Sequence, residues 1–208
     1  MKNFLIVDDH DVVRSGLKNL LTDLYNFSEV HEAINGNTAV IKLKENEYDL
    51  VILDIQMPDT DTLGLVEYIH ITYPQVKVLM FSMSAENIYA KRYLKAGAYG
   101  FISKDASLEN ITKAITVILS GKKYISEALA QKLAEESFSG KSENPFNELS
   151  PREFEIVSLL LQGKTLTEVS QILNIQTSTV GTHKARLFEK LGVDNILQLK
   201  EIATTYNL

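Results

Sequence analysis

The fold is decided by a stretch that reads Leu50-Val51-Ile52-Leu53-Asp54, four apolar residues that end on an acid. A continuous apolar run of this length predicts a strand that is buried on both faces, as in a parallel sheet covered by helices. Four further runs, of which the second is the weakest, occur in the first half of the chain: Phe4–Val7, Val30–Ile34, Val76–Phe81 and Tyr99–Ile102. The sequence therefore predicts five buried strands.

Between these runs lie segments with helical periodicity. Apolar residues recur three or four positions apart in five of them, at about 12–25, 38–45, 63–72, 85–96 and 108–119. Alternation of strands and helices predicts an α/β fold, with a doubly wound five-stranded parallel sheet. Gly97 stands where the fourth helix should end, and Ser107 is the predicted N-cap of the fifth.

From Leu149 to the C-terminus the sequence predicts helices only. Ser150–Glu153 and Thr165–Glu168 are capping boxes, and each predicts the start of a helix. The pattern continues with a third helix at about 177–191 and a fourth at about 195–206. Four short helices in the last 60 residues predict a small all-α binding module.

A polar segment joins the two parts. It contains an amphipathic stretch, Ser126–Glu136, followed by Ser137–Ser142, whose composition is typical of a linker. We therefore predict a first domain, a linker with a helical segment and a helical domain, with the bounds 1–121, 122–144 and 145–208.

The composition narrows the range of function classes. The chain has 208 residues, enough for two modest domains. A net charge of −6 disfavours a chain that coats nucleic acid or membrane with one basic face. The lack of cysteine excludes disulfides, thiolate metal sites and thiol catalysis. Since no stretch approaches about 20 uncharged apolar residues, we expect a soluble cytoplasmic protein with no membrane attachment.

Acidic side chains follow two of the predicted strands. Asp8 and Asp9 come directly after the first, and Asp54 comes directly after the third. Ligands of doubly wound sheets bind at the carboxyl ends of the strands, where the strand order reverses. Three carboxylates gathered there repel one another and favour a cation, and oxygen ligands suit Mg²⁺. The sequence therefore predicts a magnesium site.

Two further strand ends carry a hydroxyl and a cation. Ser82 follows the fourth strand and Lys104 follows the fifth. Phosphoryl transfer depends mainly on positioning and charge neutralisation. An aspartate nucleophile, Asp54, with a metal ion, a hydroxyl and a lysine meets those needs.

These residues, together with Met57-Pro58 and Phe101, resemble the receiver domain of bacterial response regulators over residues 1 to about 120. The segments 8–10 and 97–104 are similar to the NarL/FixJ-type subgroup, with its flavodoxin-like fold. The resemblance implies that a sensor histidine kinase phosphorylates Asp54. It also implies that Mg²⁺ is bound by Asp9, Asp54 and the backbone carbonyl of Gln56, with Asp8 assisting through water. Ser82 and Lys104 would contact the phosphoryl oxygens. Phe101 would be an aromatic switch that moves together with Ser82.

One loop departs from the family pattern. After Met57-Pro58 the family usually carries Gly-x-Asp-Gly, whereas this chain has Asp59, Thr60, Asp61 and Thr62. Thr62 thus replaces a glycine beside the phosphorylation site. His10 is interpreted as a residue without a metal role, since no second histidine stands at ligand spacing.

The helical domain has the arrangement of a helix-turn-helix, with a turn near Asn174. Segments 149–153, 179–183 and 189–193 are similar to the LuxR-type DNA-binding domain over residues 149–199. The resemblance implies double-stranded DNA as a partner. The residues expected to contact it are Lys164, Thr179, Thr182, His183, Lys184 and Arg186. Val180, Leu187 and Leu191 recur at helical spacing and are expected in the core.

The basic signature of this domain is weak. Its residues from Asn147 onward include six Lys or Arg against seven Asp or Glu, a net charge of −1. Gln176 occupies the recognition-helix cap, and Ser178 and Gly181 stand where the family commonly has basic residues. Lys184 and Arg186 form either a DNA-contacting face or an ordinary solvated one.

We interpret the chain as a phosphorylation-dependent transcriptional regulator that forms a homodimer when phosphorylated, and not as an enzyme. The main alternative is a receiver-regulated module whose helical domain contacts protein, with weak or no DNA binding. An enzyme and a cofactor binder both fit the residues poorly. A haloacid-dehalogenase-like phosphatase needs an acid where Gln56 stands, and a flavodoxin-like cofactor phosphate would be repelled by Asp8, Asp9 and Asp11.

Overall fold

The computed structural model describes residues 2–84, 86–131, 134, 144–206 and 208. The chain forms two compact units, Met1–Ala130 and Gln131–Leu208, which are described separately. Within the described ranges, no helix combines the length and apolar character that a membrane span requires.

The first unit is built on a parallel sheet of five strands. Their bounds are β1 Asn3–Val7, β2 Glu29–Ala33, β3 Leu50–Leu53, β4 Lys77–Ser82 and β5 Gly100–Ser103. The strand order is β2-β1-β3-β4-β5, and every neighbouring pair is parallel. Four strands, β1, β3, β4 and β5, are buried along their whole length or at all but one residue, as their apolar runs predict. The predicted fold class is confirmed, and each observed strand lies within one residue of its predicted bounds.

Five helices cover the two faces of this sheet. Their bounds are α1 Asp11–Leu24, α2 Gly36–Glu45, α3 Thr62–Thr72, α4 Glu86–Ala96 and α5 Leu108–Leu119. Ser107 caps α5 by accepting a hydrogen bond from the amide of Asn110, as predicted. Gly97 ends α4 with a φ of +114°, a conformation that side chains disfavour. A Cβ atom at Gly97 would lie 2.3 Å from Cγ of His70, so this position also requires glycine for lack of space.

The core of the first unit lies on both sides of the sheet. On one side, α1 and α5 pack against alternate strand residues, for example Leu21 and Ile115 against Phe4 and Leu79. The residues between them on the strands point to the opposite face and are buried as well. A sheet buried on both faces leaves only its edges and the strand ends for function.

The chain after α5 stays attached to the first unit. The amide of Tyr124 donates to the carbonyl of Tyr99 at 2.8 Å, and Tyr124 forms a parallel bridge with Gly100. The hydroxyl of Ser126 donates to Glu86 at the start of α4, at 2.7 Å. Residues 127–131 are helical, within the predicted Ser126–Glu136 helix. The rest of that helix except residue 134, and the Ser137–Ser142 linker run, lie outside the described residues.

Between residues 144 and 206, which the structure describes, the second unit consists of helices. After a 3-10 turn at Pro145–Glu148 come α6 Pro151–Leu161, α7 Leu166–Ile172, α8 Thr177–Leu191 and α9 Ile196–Thr205. Both predicted capping boxes form, at Ser150–Glu153 and Thr165–Glu168. The predicted all-α fold with four helices is therefore confirmed.

Helices α7 and α8 form the predicted helix-turn-helix. The turn between them passes through Asn174, which has a φ of +49°, a left-handed conformation that asparagine tolerates. Val180, Leu187 and Leu191 of α8 are buried, as predicted. Opposite this buried stripe, α8 presents a polar face to solvent.

Candidate functional site: an acidic phosphoacceptor pocket and a helix-turn-helix

The acids of the first unit meet at the carboxyl end of the central strands. Val7 and Leu53 are paired in register, so the residues that follow them, Asp8 and Asp54, lie side by side. The amide of Asp54 donates to the carbonyl of Val7 at 2.9 Å and extends that ladder by one step. Asp8 and Asp54 are buried, with exposed fractions of 1% and 3%. The parallel sheet thus brings together the carboxylates that the sequence placed at strand ends.

Lys104 bridges the two buried acids. Its Nζ atom lies 2.6 Å from Oδ2 of Asp8 and 2.8 Å from Oδ2 of Asp54. Burial alone would lower the pKa of Lys104, but the hydrogen bonds and charges of Asp54 and Asp8 outweigh it, so that its pKa is raised. Lys104 is therefore a charged partner of both acids across the physiological range, since a raised pKa keeps the ammonium protonated there.

The more exposed side of the pocket is formed by Asp9 and His10. The Nδ1 atom of His10 lies 3.0 Å from Oδ1 of Asp8 and 2.9 Å from Oδ1 of Asp9. One ligand atom each from Asp8, Asp9, His10 and Asp54 can be chosen so that all lie within 4.8 Å of one another. The interpretation of His10 as a residue without a metal role did not anticipate this contact. Its position directly after the two aspartates is the signal that could have indicated it.

The donor set of this pocket fits a hard divalent cation. Three of its four groups are carboxylates, and Mg²⁺ is commonly held by one or two carboxylates together with water and phosphate oxygens. The imidazole of His10 adds one nitrogen at the exposed side. The predicted ligand Gln56 lies in the loop after Asp54, and its side chain is exposed.

The loop after Asp54 is held by hydrogen bonds of its own. The amide of Ile55 donates to Oδ1 of Asp54 at 2.7 Å, and the hydroxyl of Thr62 donates to the carbonyl of Ile55 at 2.9 Å. Thr62, which departs from the family pattern, is buried at the first position of α3. Asp59, at the place of the first glycine, adopts a φ of +53°. The loop therefore takes a turn without either glycine, since aspartate tolerates that conformation.

The predicted switch residues, Ser82 and Phe101, lie on β4 and β5. Ser82 is buried at the end of β4, where its carbonyl accepts from the amide of Lys104 at 3.0 Å. Its hydroxyl lies 3.3 Å from both the amide and the hydroxyl of Ser84. Phe101 is fully buried on β5, paired in register with Met80. Ser82 is thus linked through Ser84 to the loop that leads into α4, and the ring of Phe101 is turned inward.

Arg14 of α1 is a residue at this site that the sequence analysis missed. It is buried, and its guanidinium donates to the backbone carbonyl of Asp8 at 2.8 Å. A basic residue one turn into the helix that follows an acidic pair is the signal for it, although such a residue is more often solvated.

The candidate nucleic-acid interface is the polar face of α8. Thr179, Thr182 and Arg186 are exposed there. Lys184 is half-buried, and its ammonium lies 5.1 Å from the ring centroid of Phe188, in a cation–π contact. His183 is half-buried too, with its Nδ1 atom inside the fold. Lys164, the remaining predicted contact, is half-buried just before α7.

The unusual residues of α8 alter its start and its exposed face. Gln176 accepts no capping hydrogen bond at the beginning of the helix. A Cβ atom at Gly181 would meet no other atom within 4 Å, so packing within the unit does not require glycine there. Lys190 is not part of the free basic face, because its Nζ atom lies 2.7 Å from Oε2 of the buried Glu153 of α6.

Family comparisons agree with both halves of this arrangement. Residues 4–116 match the response regulator receiver domain, and residues 147–203 match the luxR family of bacterial regulatory proteins. The chain belongs to the bacterial response regulators. It combines a receiver with a LuxR-type DNA-binding domain, so phosphorylation-dependent regulation of transcription is its function. This family consists of transcription factors and not of enzymes, as expected.

Curated response regulators match the chain along its whole length. The response regulator UvrY of Escherichia coli K12 is 34% identical over 209 residues, which cover 100% of this chain and 96% of UvrY. The response regulator GacA of Pseudomonas protegens is 32% identical, with coverage of 100% and 98%.

Solved structures of one response regulator share the fold. RcsB from Salmonella enterica serovar Typhimurium, bound to promoter rprA in the presence of phosphomimetic BeF3-, has a TM-score of 0.79 at 24% identity, with 98% of each chain covered. A structure of two RcsB dimers bound to two parallel DNAs has a TM-score of 0.61 at 26% identity, again with 98% of each chain covered.

Proposed function

We propose that a sensor histidine kinase phosphorylates this response regulator on Asp54 in the presence of Mg²⁺, and that the phosphorylated form binds operator DNA as a homodimer in the cytoplasm. The observation that carries the proposal is the convergence of Asp8, Asp9, Asp54 and Lys104 at one strand-end pocket.

The chemistry of the pocket suits phosphoryl transfer to a carboxylate. An oxygen of Asp54 forms the new bond to phosphorus while the bond from phosphorus to the donor breaks, and the donor retains that electron pair. Lys104, already 2.8 Å from Asp54, neutralises the charge that gathers on the phosphoryl oxygens. The hydroxyl of Ser82 is the proposed donor to another of these oxygens.

A magnesium ion would be held by Asp9, Asp54 and the carbonyl of Gln56, with Asp8 acting through water. When bound, it would supply charge neutralisation between the acids and the phosphoryl group. Lys104 spans Asp8 and Asp54, so the two buried carboxylates have a cationic partner whenever the ion is absent.

Incubation with acetyl phosphate and magnesium tests the phosphorylation step. We expect intact-protein mass spectrometry to find the mass gain of one phosphoryl group, and the Asp54→Asn variant to lack it. Asp49→Asn is the matched control, because Asp49 is another acid of the same unit whose carboxylate pairs with Lys2, 2.6 Å away. Labelling that persists in Asp54→Asn would contradict the assignment.

On the DNA side, the proposed contacts are Lys164, Thr179, Thr182, His183, Lys184 and Arg186. Phosphate contacts release counterions, so affinity falls with salt at a slope of about −0.9 per contact. We expect Arg186→Ala to reduce that slope by about one unit and Lys200→Ala, an exposed residue of α9, to leave it unchanged. A salt-independent affinity would instead support contact with protein.

Dimer formation follows from the weak charge of the output unit. Two modules on paired half-sites bind far more tightly than one, and a solved structure has two RcsB dimers bound to two parallel DNAs. Sedimentation of the phosphorylated chain on operator DNA tests it, and a monomer on the DNA would contradict it.

A further inference from the structure

Arg14 reaches three acceptors that come from three different parts of the receiver. Its Nη1 atom donates to the carbonyl of Asp8 at 2.8 Å, and its Nε atom donates to Oε2 of Glu32 on β2 at 3.3 Å. Its Nη2 atom donates to Asp11 at the start of α1. Only 8% of Arg14 is exposed, whereas the side chain of Asp11 is 87% exposed. The guanidinium is therefore inserted between the first helix and the edge strand.

The hydrogen bond to Asp8 fixes the backbone just before the exposed acid of the pocket. The amide of Asp8 is held by the carbonyl of Ala33 at 3.1 Å, and its carbonyl is held by Arg14. A peptide group is planar, so fixing the carbonyl of Asp8 fixes the plane that also contains the amide of Asp9. The direction of that plane sets where the Asp9 side chain begins. Arg14 therefore acts on Asp9 through the backbone.

We propose that Arg14 is a positioning residue for the metal pocket, which holds the Asp8–Asp9 peptide in the orientation that divalent-cation binding requires. The inference rests on the proposed function, because it concerns the cation that accompanies phosphorylation. Arg14 lies behind the acids and contacts the backbone of Asp8, so its effect is indirect.

The geometry requires arginine at this position. A guanidinium offers donors in a rigid planar fork, and here Nη1, Nη2 and Nε serve three acceptors at once. A lysine ammonium is a single point at the end of a flexible stem, so it cannot meet all three from the same helix position. The carboxylate of Glu32 accepts the hydrogen bond from Nε of Arg14. Hydrogen bonding to Lys18 above all, and also to Arg14, holds the pKa of Glu32 below its usual value despite the opposing effect of burial.

Charge and position make opposite predictions for Arg14. A buried cation near a metal pocket repels the metal, so a role in charge alone means that Arg14→Met binds Mg²⁺ more tightly. A positioning role means that both Arg14→Met and Arg14→Lys bind Mg²⁺ more weakly. Loss of a group that orients metal ligands costs about 10–100-fold in affinity, so we expect a weakening of at least about tenfold.

The experiment is isothermal titration of the full chain with MgCl₂. Lys18→Met is the matched control, because Lys18 also pairs with Glu32, at 2.9 Å, while no hydrogen bond or ion pair found in the described chain joins it to Asp8. Lys18→Met should keep the Mg²⁺ affinity of the wild type. Glu32→Gln, which weakens the far side of the fork, should lower the affinity less than Arg14→Lys does.

The outcomes separate this inference from the proposed function. The proposed function stands if the wild type binds Mg²⁺ and is labelled by acetyl phosphate. The positioning role of Arg14 is refuted if, in addition, Arg14→Lys binds Mg²⁺ with unchanged affinity or Arg14→Met binds it more tightly. A wild type that neither binds Mg²⁺ nor is labelled refutes both. Should Arg14→Met fail to fold, Arg14→Lys and Glu32→Gln decide the question, since each keeps a polar group at its position.

Discussion

Replacement of Thr62 by valine tests how the loop after Asp54 is held. The hydroxyl of Thr62 donates to the carbonyl of Ile55, and the amide of Ile55 donates to Asp54. The peptides on both sides of Ile55 are thus fixed by polar contacts, one from Thr62 of α3 and one from Asp54. Thr62→Val keeps the shape of the side chain and removes only the first of these contacts.

The expected magnitude follows from the geometry. The hydrogen bond is 2.9 Å long, and Thr62 is only 3% exposed, so water does not readily replace its hydroxyl. One such bond contributes about 1 kcal/mol net, and a buried carbonyl left without a partner costs about 1–3 kcal/mol. We expect Thr62→Val to lower the free energy of unfolding by about 1–2 kcal/mol. Thr62→Ser keeps the hydroxyl and loses one methyl group, which costs about 1 kcal/mol.

Because the two variants have similar global costs, local hydrogen exchange distinguishes them. In exchange mass spectrometry of the full chain, the segment 54–62 should exchange about tenfold faster in Thr62→Val, since about 1.4 kcal/mol corresponds to a factor of ten. Thr62→Ser should exchange at nearly the wild-type rate there. Equal rates in the two variants would refute the reasoning, because the methyl group and not the hydroxyl would then hold the loop.

Three further predictions concern other parts of the chain. Gly97→Ala should lower the free energy of unfolding by about 2–5 kcal/mol, because it combines a left-handed backbone strain of about 1–2 kcal/mol with a steric overlap. Gly121 has a φ of +86° but open space around it, so Gly121→Ala should show only the backbone strain. Thermal unfolding of both variants measures the difference. Glu86→Gln should weaken the attachment of the chain after α5, seen as faster exchange in 124–130 with little change elsewhere. Burial alone would raise the pKa of Glu153, but hydrogen bonds from Lys190 and the backbone hold it below its usual value. Because this stabilisation is present above about pH 4.5 and is lost as the pH falls through the lowered pKa, the wild type and Glu153→Gln should converge in an acid titration of stability once the pH is below that lowered pKa.

The sequence predicted the sheet and the centre of the pocket because both depend on short-range patterns. Apolar runs identify strands buried on both faces, and a parallel sheet gathers the residues that follow them at one edge. Asp8, Asp54 and Lys104 could therefore be placed together without knowledge of any side-chain contact. The capping boxes of the second unit are predictable for the same reason, since each lies within four residues.

The contacts of long side chains were not predictable in this way. Arg14 binds Asp8 and Glu32 because α1 packs beside the edge strand β2 in one particular rotation about its axis. Lys190 of α8 binds Glu153 because α8 crosses α6 near the start of α6. Charged residues at such positions are usually solvated, so their sequence signal resembles that of any exposed helix face. The domain bounds 1–121, 122–144 and 145–208 remain a prediction. The hydrogen bond of Tyr124 holds the chain to the first unit beyond residue 121.

The bridge between Gly100 and Tyr124 bears on how a receiver fragment should be produced. A Cβ atom at Gly100 would lie 2.8 Å from the carbonyl oxygen of Tyr124, so glycine allows this segment to run along the outer border of the sheet. Protein truncated at residue 121 would expose the edge strand β5, and unpaired edge strands pair with other chains. Fragments for crystallisation should therefore extend through residue 130, and shorter ones should self-associate in concentrated solution.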